Sequence, residues 1–143
     1  MFCSGRPAIM VTGHLGNWEL AGLAAAHHGL PLTALARPID NPHLDRWLTR
    51  YRTSTGLKLI PKDQAVRKMT LLMRKGGILI VAIDQVPNPR SNGISVPFFG
   101  RPALTVRSPA ILALKYGTPI VPLNVWRDKE GIHHFELTPP LLP

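Results

Sequence analysis

The sequence has few of the features that place a protein in an oxidising compartment or on a nucleic acid. Cys3 is the single cysteine, so no internal disulfide can form, and no Cys or His stands beside it at metal-ligand spacing. Aromatic residues make up only 6% of the chain, and they are not interleaved with basic residues in a nucleic-acid-binding pattern. We therefore expect a cytoplasmic protein with no metal, no cofactor and no nucleic-acid partner.

Long apolar runs are also absent. A helix needs roughly 18 to 20 apolar residues to span a bilayer. The best candidate, residues 20–36, is interrupted by His27, His28, Gly29 and Pro31. The N-terminus enters a strand-like segment directly, unlike a secretory signal. We expect any membrane association of this chain to be peripheral.

Acidic residues are scarce. Eight Asp and Glu stand against 17 Lys and Arg, which gives a net charge of +9. A charge of this sign attracts any polyanion and does not by itself choose among them. Dispersed basic residues without a recognition motif fit an anionic membrane surface best.

Strand-like and helix-like segments alternate along the 143 residues. Strands are predicted at Ala8–Thr12, Leu32–Ala36, Leu57–Ile60, Ile78–Ile83, Pro119–Trp126 and near His133–Leu137. Helices are predicted from the cap Asn17 to Gly29, and at His43–Thr55, Asp63–Lys75 and Arg107–Tyr116. Residues Asp84–Ala103 carry four prolines and two glycines and predict a long structured loop. The alternation predicts an α/β fold, a largely parallel central sheet flanked by helices, in a single domain spanning residues 1–143.

The segment from His14 to Glu19 places a base and a carboxylate five positions apart, where a strand gives way to a helix. On one regular helix these side chains would diverge by about 140°. They meet only if His14 stays in the turn, which Gly13 and Gly16 permit, while Glu19 occupies the first helical turn. His14 would then take a proton from an attacking hydroxyl, and Glu19 would hold the other ring N–H.

From spacing alone, other interpretations of these two residues stay open. His14 could cap a turn while Glu19 favours the helix start through its charge. A metal site is disfavoured because no second pair of ligands is evident. His27 with His28, and His133 with His134, are interpreted as surface pairs without a chemical role.

Beyond this motif, the sequence resembles the lauroyl/myristoyl acyltransferases of lipid A biosynthesis, within the glycerolipid and lysophospholipid acyltransferase superfamily marked by His, four residues, then Asp or Glu. The resemblance spans about Val11 to Pro140 in the family's order of motifs. The motifs are Gly13-His14-Leu15-Gly16-Asn17-Trp18-Glu19, Arg37-Pro38, Asn41-Pro42, Leu44-Asp45, Arg52 with Gly56, Asp84-Gln85, and Val96-Pro97-Phe98-Phe99-Gly100-Arg101-Pro102-Ala103. It implies a glycerolphosphate-acyltransferase-like fold.

The resemblance also implies a reaction. A fatty acyl group would pass directly, without an acyl-enzyme, from acyl-carrier protein or acyl-coenzyme A to a hydroxyl of a lipid A precursor. The site would lie at the cytoplasmic face of the inner membrane. Another glycolipid acceptor, such as a phosphatidylinositol mannoside, and a non-catalytic lipid-binding remnant are the alternatives.

The resemblance implies roles for ten residues. The catalytic residues would be His14 as the base, Glu19 as its partner, Arg52 and Asp84. The substrate-binding residues would be Gly16, Asn17, Arg37, Phe98, Phe99 and Arg101. Taken alone, Arg52 is better explained as a solvated helix charge, and Asp84 is equally well explained as a loop cap. Phe98 and Phe99 could line an acyl tunnel, dip into lipid or pack in the core.

Relatives in that family are about twice as long and begin with a membrane helix. We therefore expect this chain to be a fragment that is incomplete at the N-terminus and lacks that helix.

Overall fold

The computed structural model describes residues 5–61, 64–87 and 93–143. Cys3, the predicted helix start at Asp63 and residues 88–92 of the predicted loop lie outside them. The strands are β1 (Ala8–Thr12), β2 (Leu32–Ala36), β3 (Lys58–Pro61), β4 (Ile78–Ala82), β5 (Gly93–Phe98), β6 (Arg101–Val106), β7 (Ile120–Arg127) and β8 (His133–Leu137). The helices are α1 (Trp18–His27), α2 (Pro42–Ser54), α3 (Ala65–Arg74) and α4 (Ser108–Tyr116).

Six of these strands form one sheet in the order β3-β2-β4-β1-β7-β8. The pairs from β3 to β7 are all parallel, and β8 joins β7 antiparallel at the edge. Helices connect the parallel strands, as parallel pairing requires. The predicted α/β fold with a largely parallel sheet is therefore confirmed.

The unbroken apolar run of β4 reflects a strand that is covered on both faces. Successive side chains point to opposite sides of a sheet. Accordingly Ile78 and Ile80 pack in one core cluster, while Leu79 and Val81 pack in the other. This double burial is typical of a central parallel strand.

The helices cover the two faces unequally. Helix α1 contributes Ala21, Leu23 and Ala26 to one cluster. Helices α3 and α4 contribute Met69, Met73 and Leu112 to the other. Helix α2 buries no residue. No helix of the described residues is long and apolar enough to cross a bilayer.

The prediction of a long structured loop from Asp84 to Ala103 is wrong in its second half. Strands β5 and β6 form an antiparallel hairpin from Gly93 to Val106. Proline and glycine signal loops because proline cannot donate to a strand ladder, but they are tolerated in a two-stranded ribbon with free edges. Pro97 and Pro102 face each other in this ribbon, so the pattern concealed two strands.

Candidate active site

His14 and Asp84 meet because their strands are neighbours. Strands β1 and β4 pair in parallel with Thr12 opposite Ala82, and each functional side chain lies two residues beyond its strand end. In open α/β sheets the carboxyl ends of the strands form the ligand-binding edge. The topology therefore places the imidazole beside a carboxylate that is 70 residues away in sequence.

The Asp84 carboxylate binds His14 at two points. Its Oδ2 accepts the backbone N–H of His14 at 2.7 Å, and its Oδ1 lies 2.7 Å from the ring Nδ1. Burial pushes the pKa of Asp84 up, but the hydrogen bonds from His14 outweigh it and lower the pKa. An ionised carboxylate can only accept, so we assign the ring proton to Nδ1 and the lone pair to Nε2. A base oriented in this way is ready to take a proton at Nε2.

The predicted hydrogen bond between His14 and Glu19 is wrong. Both Glu19 oxygens accept from Arg52, Oε1 from Nε and Oε2 from Nη2, each at 2.7 Å. The hydrogen bonds from Arg52 to Glu19 raise the pKa of the guanidinium. The error arose because closeness in sequence was taken for closeness in space, whereas His14 bonds across the sheet edge to the strand beside its own.

The four residues predicted to be catalytic thus form two pairs, His14 with Asp84 and Glu19 with Arg52. The second pair is bidentate and partly buried, with the Arg52 side chain 17% exposed and that of Glu19 26% exposed. It ties the first turn of α1 to the last turn of α2. The structure shows Glu19 in contact with Arg52, and the catalytic roles of all four residues stay predictions.

The glycines of the turn allow two close approaches. A Cβ on Gly13 would lie 3.2 Å from Oδ2 of Asp84. Gly16 has a φ of +57°, and a Cβ there would lie 2.7 Å from the backbone oxygen of Val125 in β7. The turn that carries His14 therefore lies between the end of β4 and the backbone of β7. The positive φ of Gly16 agrees with the backbone freedom that the sequence predicted for this turn, whereas its contact with β7 was not predicted.

Two further predicted substrate-binding residues lie near strand ends or caps. The Asn17 side chain accepts from the backbone N–H of Leu20 at 3.0 Å and caps α1, as the sequence predicted. Arg37 is exposed and directly follows β2. The structure gives both residues positions near the sheet edge, and their contact with a substrate stays a prediction.

The remaining three lie at the tip of the β5–β6 hairpin. Phe98 is 63% exposed and Phe99 is 91% exposed, so neither packs in the core formed by the described residues. Their rings contact edge to face with centroids 4.6 Å apart. Arg101 is exposed opposite Phe98. No hydrogen bond among the described residues joins this tip to the His14–Asp84 pair.

A cavity of about 400 Å³ opens beside Asp84 at the ends of β1, β4 and β7. Most of its lining is apolar. The lining residues are Val11, Thr12, Gly13, Leu15, Ile83, Asp84, Pro122, Leu123, Asn124, Val125 and Trp126. An apolar recess with one carboxylate that orients a base suits an apolar substrate carrying a reactive polar group.

Trp126 is a cavity residue that sequence reasoning missed. Its ring stacks on His134, with centroids 5.1 Å apart and planes inclined by 10°. His134 in turn bonds Asp128 at 2.6 Å between Nε2 and Oδ2, and this bond lowers the pKa of Asp128. His134 therefore supports a cavity wall, although its side chain is 40% exposed. His27 and His28 are exposed as predicted. No sequence signal could have found Trp126, because its role depends on β7 lying beside β1.

Within residues 5–61, 64–87 and 93–143, no three His, Cys, Asp or Glu side chains converge in a way that would hold a metal ion. Separately, the oriented imidazole of His14 is a group that can transfer a proton.

A family model described as bacterial lipid A biosynthesis acyltransferase matches residues 3–142. The chain belongs to this family. The match covers both strand ends that supply His14 and Asp84, and it confirms the resemblance drawn from the motifs.

Three curated relatives are phosphatidylinositol mannoside acyltransferases. The protein from Mycolicibacterium smegmatis is 27% identical over 130 residues, which is 90% of this chain and 43% of the relative. Two strains of Mycobacterium tuberculosis supply relatives that are 26% identical over 90% of this chain and 41% of their own length. The chain thus spans less than half the length of these relatives.

Proposed function

We propose that this chain carries the catalytic centre of an acyltransferase that moves a fatty acyl group from a thioester to a hydroxyl of a glycolipid. The observation that carries the proposal is the hydrogen-bonded His14–Asp84 pair, of which Asp84 lines an apolar cavity. Membership of an acyltransferase family supports the reaction class.

The proposed reaction needs no enzyme nucleophile. Nε2 of His14 takes the proton of the acceptor hydroxyl as its oxygen attacks the thioester carbonyl carbon. Asp84 stabilises the imidazolium that forms. The tetrahedral intermediate then collapses, the carbon–sulfur bond breaks, and His14 returns the proton to the leaving thiolate. An ester and a free thiol are the products.

The donor proposed is acyl-carrier protein or acyl-coenzyme A, since both present the same thioester. The acceptor proposed first is a lipid A precursor, in keeping with the description of the family. A phosphatidylinositol mannoside is the second candidate, because the relatives named above carry that name. A lipid acceptor and the net charge of +9 support a peripheral position at the cytoplasmic face of the inner membrane.

The test is thiol release from both donors in mixed micelles, with a lipid A precursor, with a phosphatidylinositol mannoside or with neither. Mass spectrometry identifies the ester product. We expect release only when an acceptor is present, and we expect His14→Ala to lower it by about 10²–10⁴-fold, the usual contribution of a general base.

His27→Ala is the matched control, because this histidine is exposed at the far end of α1. It should keep full turnover. Equal turnover by His14→Ala and the unsubstituted protein would show that the base is assigned wrongly. Thiol release that ignores the acceptor would refute the transferase proposal.

A further inference from the structure

Helix α2 presents a row of apolar side chains to solvent. Leu44 is 54% exposed, Trp47 is 63% exposed and Tyr51 is 46% exposed. With 3.6 residues per turn, these three positions fall within an arc of about 60°. The Trp47 and Tyr51 rings stack, with centroids 5.7 Å apart and planes inclined by 1°. We call these three residues the α2 stripe.

The stripe is not the surface by which α2 is held to the protein. Asn41 caps the helix through the N–H groups of His43 and Leu44. Asp45 accepts from the backbone N–H of Ile39 at 2.9 Å. Arg52 makes the bidentate pair with Glu19 described above. Of these contacts, the Arg52–Glu19 pair joins α2 to another helix, and none of them uses a side chain of the stripe.

The charges beside the stripe indicate the chemistry of that partner. Arg46 and Arg50 are exposed on the outer side of the helix, and the ring of His43 lies 3.1 Å from Arg46. Asp45, the acidic residue of the helix, is half-buried, and its carboxylate accepts from the backbone N–H of Ile39. A partner that fits would therefore offer an apolar layer to the stripe and anionic groups to the arginines.

An anionic lipid bilayer has this arrangement. Tryptophan and tyrosine prefer the boundary between headgroups and acyl chains. Arginine can lay its stem along apolar surface while its guanidinium reaches phosphates. A helix with an apolar stripe and a basic flank lies in the plane of such an interface.

We propose that α2 docks on an anionic bilayer surface through Leu44, Trp47 and Tyr51, with Arg46 and Arg50 on lipid phosphates. Arg52 then links the docked helix to Glu19 in the first turn of α1, the helix that follows the His14 turn. The inference rests on the peripheral membrane position proposed above, for which it supplies the contact surface. It does not depend on turnover.

The experiment measures co-sedimentation of the protein with vesicles of phosphatidylglycerol and phosphatidylcholine, and with vesicles of phosphatidylcholine alone. We expect binding to the anionic vesicles only, and a loss of about tenfold or more in the partition coefficient for Trp47→Ser/Tyr51→Ser. Val66→Ser/Leu114→Ser is the matched control, because Val66 on α3 and Leu114 on α4 are 78% and 73% exposed. It should bind as the unsubstituted protein does.

A second measurement detects insertion directly. In a Trp18→Phe/Trp126→Phe protein, Trp47 is the single tryptophan, and brominated phosphatidylglycerol should quench its fluorescence.

Full vesicle binding by the stripe variant, or no quenching of Trp47, would overturn the assignment of α2 while leaving the peripheral position intact. Failure of the unsubstituted protein to bind any vesicle would refute both. A dimer that the stripe variant abolishes, without vesicle binding, would assign the stripe to a second copy and refute the bilayer proposal. Thioester turnover is measured separately in detergent, without vesicles. A failure of the catalytic proposal can therefore be told apart from a failure of the membrane-docking proposal.

Discussion

The Asp84 carboxylate determines which ring nitrogen of His14 carries the proton. Asp84 accepts from Nδ1 and from the backbone N–H of the same residue, so it fixes both the ring orientation and its tautomer. The hydrogen bonds of the Glu19 carboxylate go to Arg52 instead, one from each of two guanidinium nitrogens. In the structure, the hydrogen bond to the His14 ring therefore comes from Asp84, while the Glu19 carboxylate accepts from Arg52 of α2.

We predict that Asp84→Asn lowers kcat more than Glu19→Gln does. An asparagine amide can donate to Nδ1 and so stabilise the wrong tautomer, an effect that costs about 10⁴-fold in a serine-protease triad. Glu19→Gln leaves the His14 contacts in place and should act mainly on stability, through the unpaired Arg52. Steady-state turnover of both variants, with urea unfolding to confirm that each is folded, distinguishes them. A larger kcat loss in Glu19→Gln would return the orienting role to Glu19.

The failure to identify His14's partner from the sequence has a physical cause. The sequence marks His14 and Asp84 as residues that follow buried strands, and both were predicted to belong to the site. It does not state that β4 lies next to β1, because strand order depends on how all the connecting helices pack. Local spacing therefore suggested Glu19, and only the parallel register of Thr12 with Ala82 brings Asp84 into contact.

Among the structural elements, the turn between β1 and α1 depends on a contact with a distant strand. Gly16 must adopt a left-handed conformation and also lie against the backbone of Val125. A side chain at this position would therefore meet two separate penalties, one local and one from β7. Gly117, the C-cap of α4, has nearly the same φ, +58°, but no atom within 4 Å of a built Cβ.

We predict that Gly16→Ala destabilises the protein more than Gly117→Ala. The left-handed conformation alone costs an L residue about 1–2 kcal/mol, and both variants incur that cost. Gly16→Ala must in addition shift the turn or β7, which also displaces His14. Urea unfolding gives the free-energy difference, and thiol release reports the His14 position. Equal losses of stability with unchanged turnover in both variants would show that the contact with Val125 is unimportant.

Element prediction succeeded where burial is periodic and failed where it is not. The runs of β1 and β4 and the capped start of α1 carry strong local signals, and their bounds agree with the structure to within two residues. The β5–β6 hairpin carries proline in both strands and exposes most of its side chains. Its strands pair only with each other, so no core pattern marks them in the sequence.

The protein as a unit depends on a sheet that separates two apolar layers. Ile78 and Leu79 are adjacent in β4, yet Ile78 belongs to the cluster that includes α1 and Leu79 to the cluster that includes α3 and α4. Both are almost fully buried, at 1% and 0% exposed. Since both layers share the same strand, neither can lose its packing without disturbing the backbone that supports the other.

We predict that Ile78→Ala and Leu79→Ala each lower the free energy of unfolding by about 2–5 kcal/mol and that each shifts one common transition. Single domains of this size usually unfold in an all-or-none manner, with a total stability of about 5–15 kcal/mol. Far-UV circular dichroism and tryptophan fluorescence in urea should therefore give coincident curves with an unchanged slope for both variants. If one substitution separated the two probes or reduced the slope, the two layers would unfold independently, and the sheet edge that holds His14 and Asp84 would depend on one layer only. Coincident shifts in both variants would show that the two layers unfold together. The strands that carry His14 and Asp84 would then depend on both clusters, since β1 and β4 have residues in each.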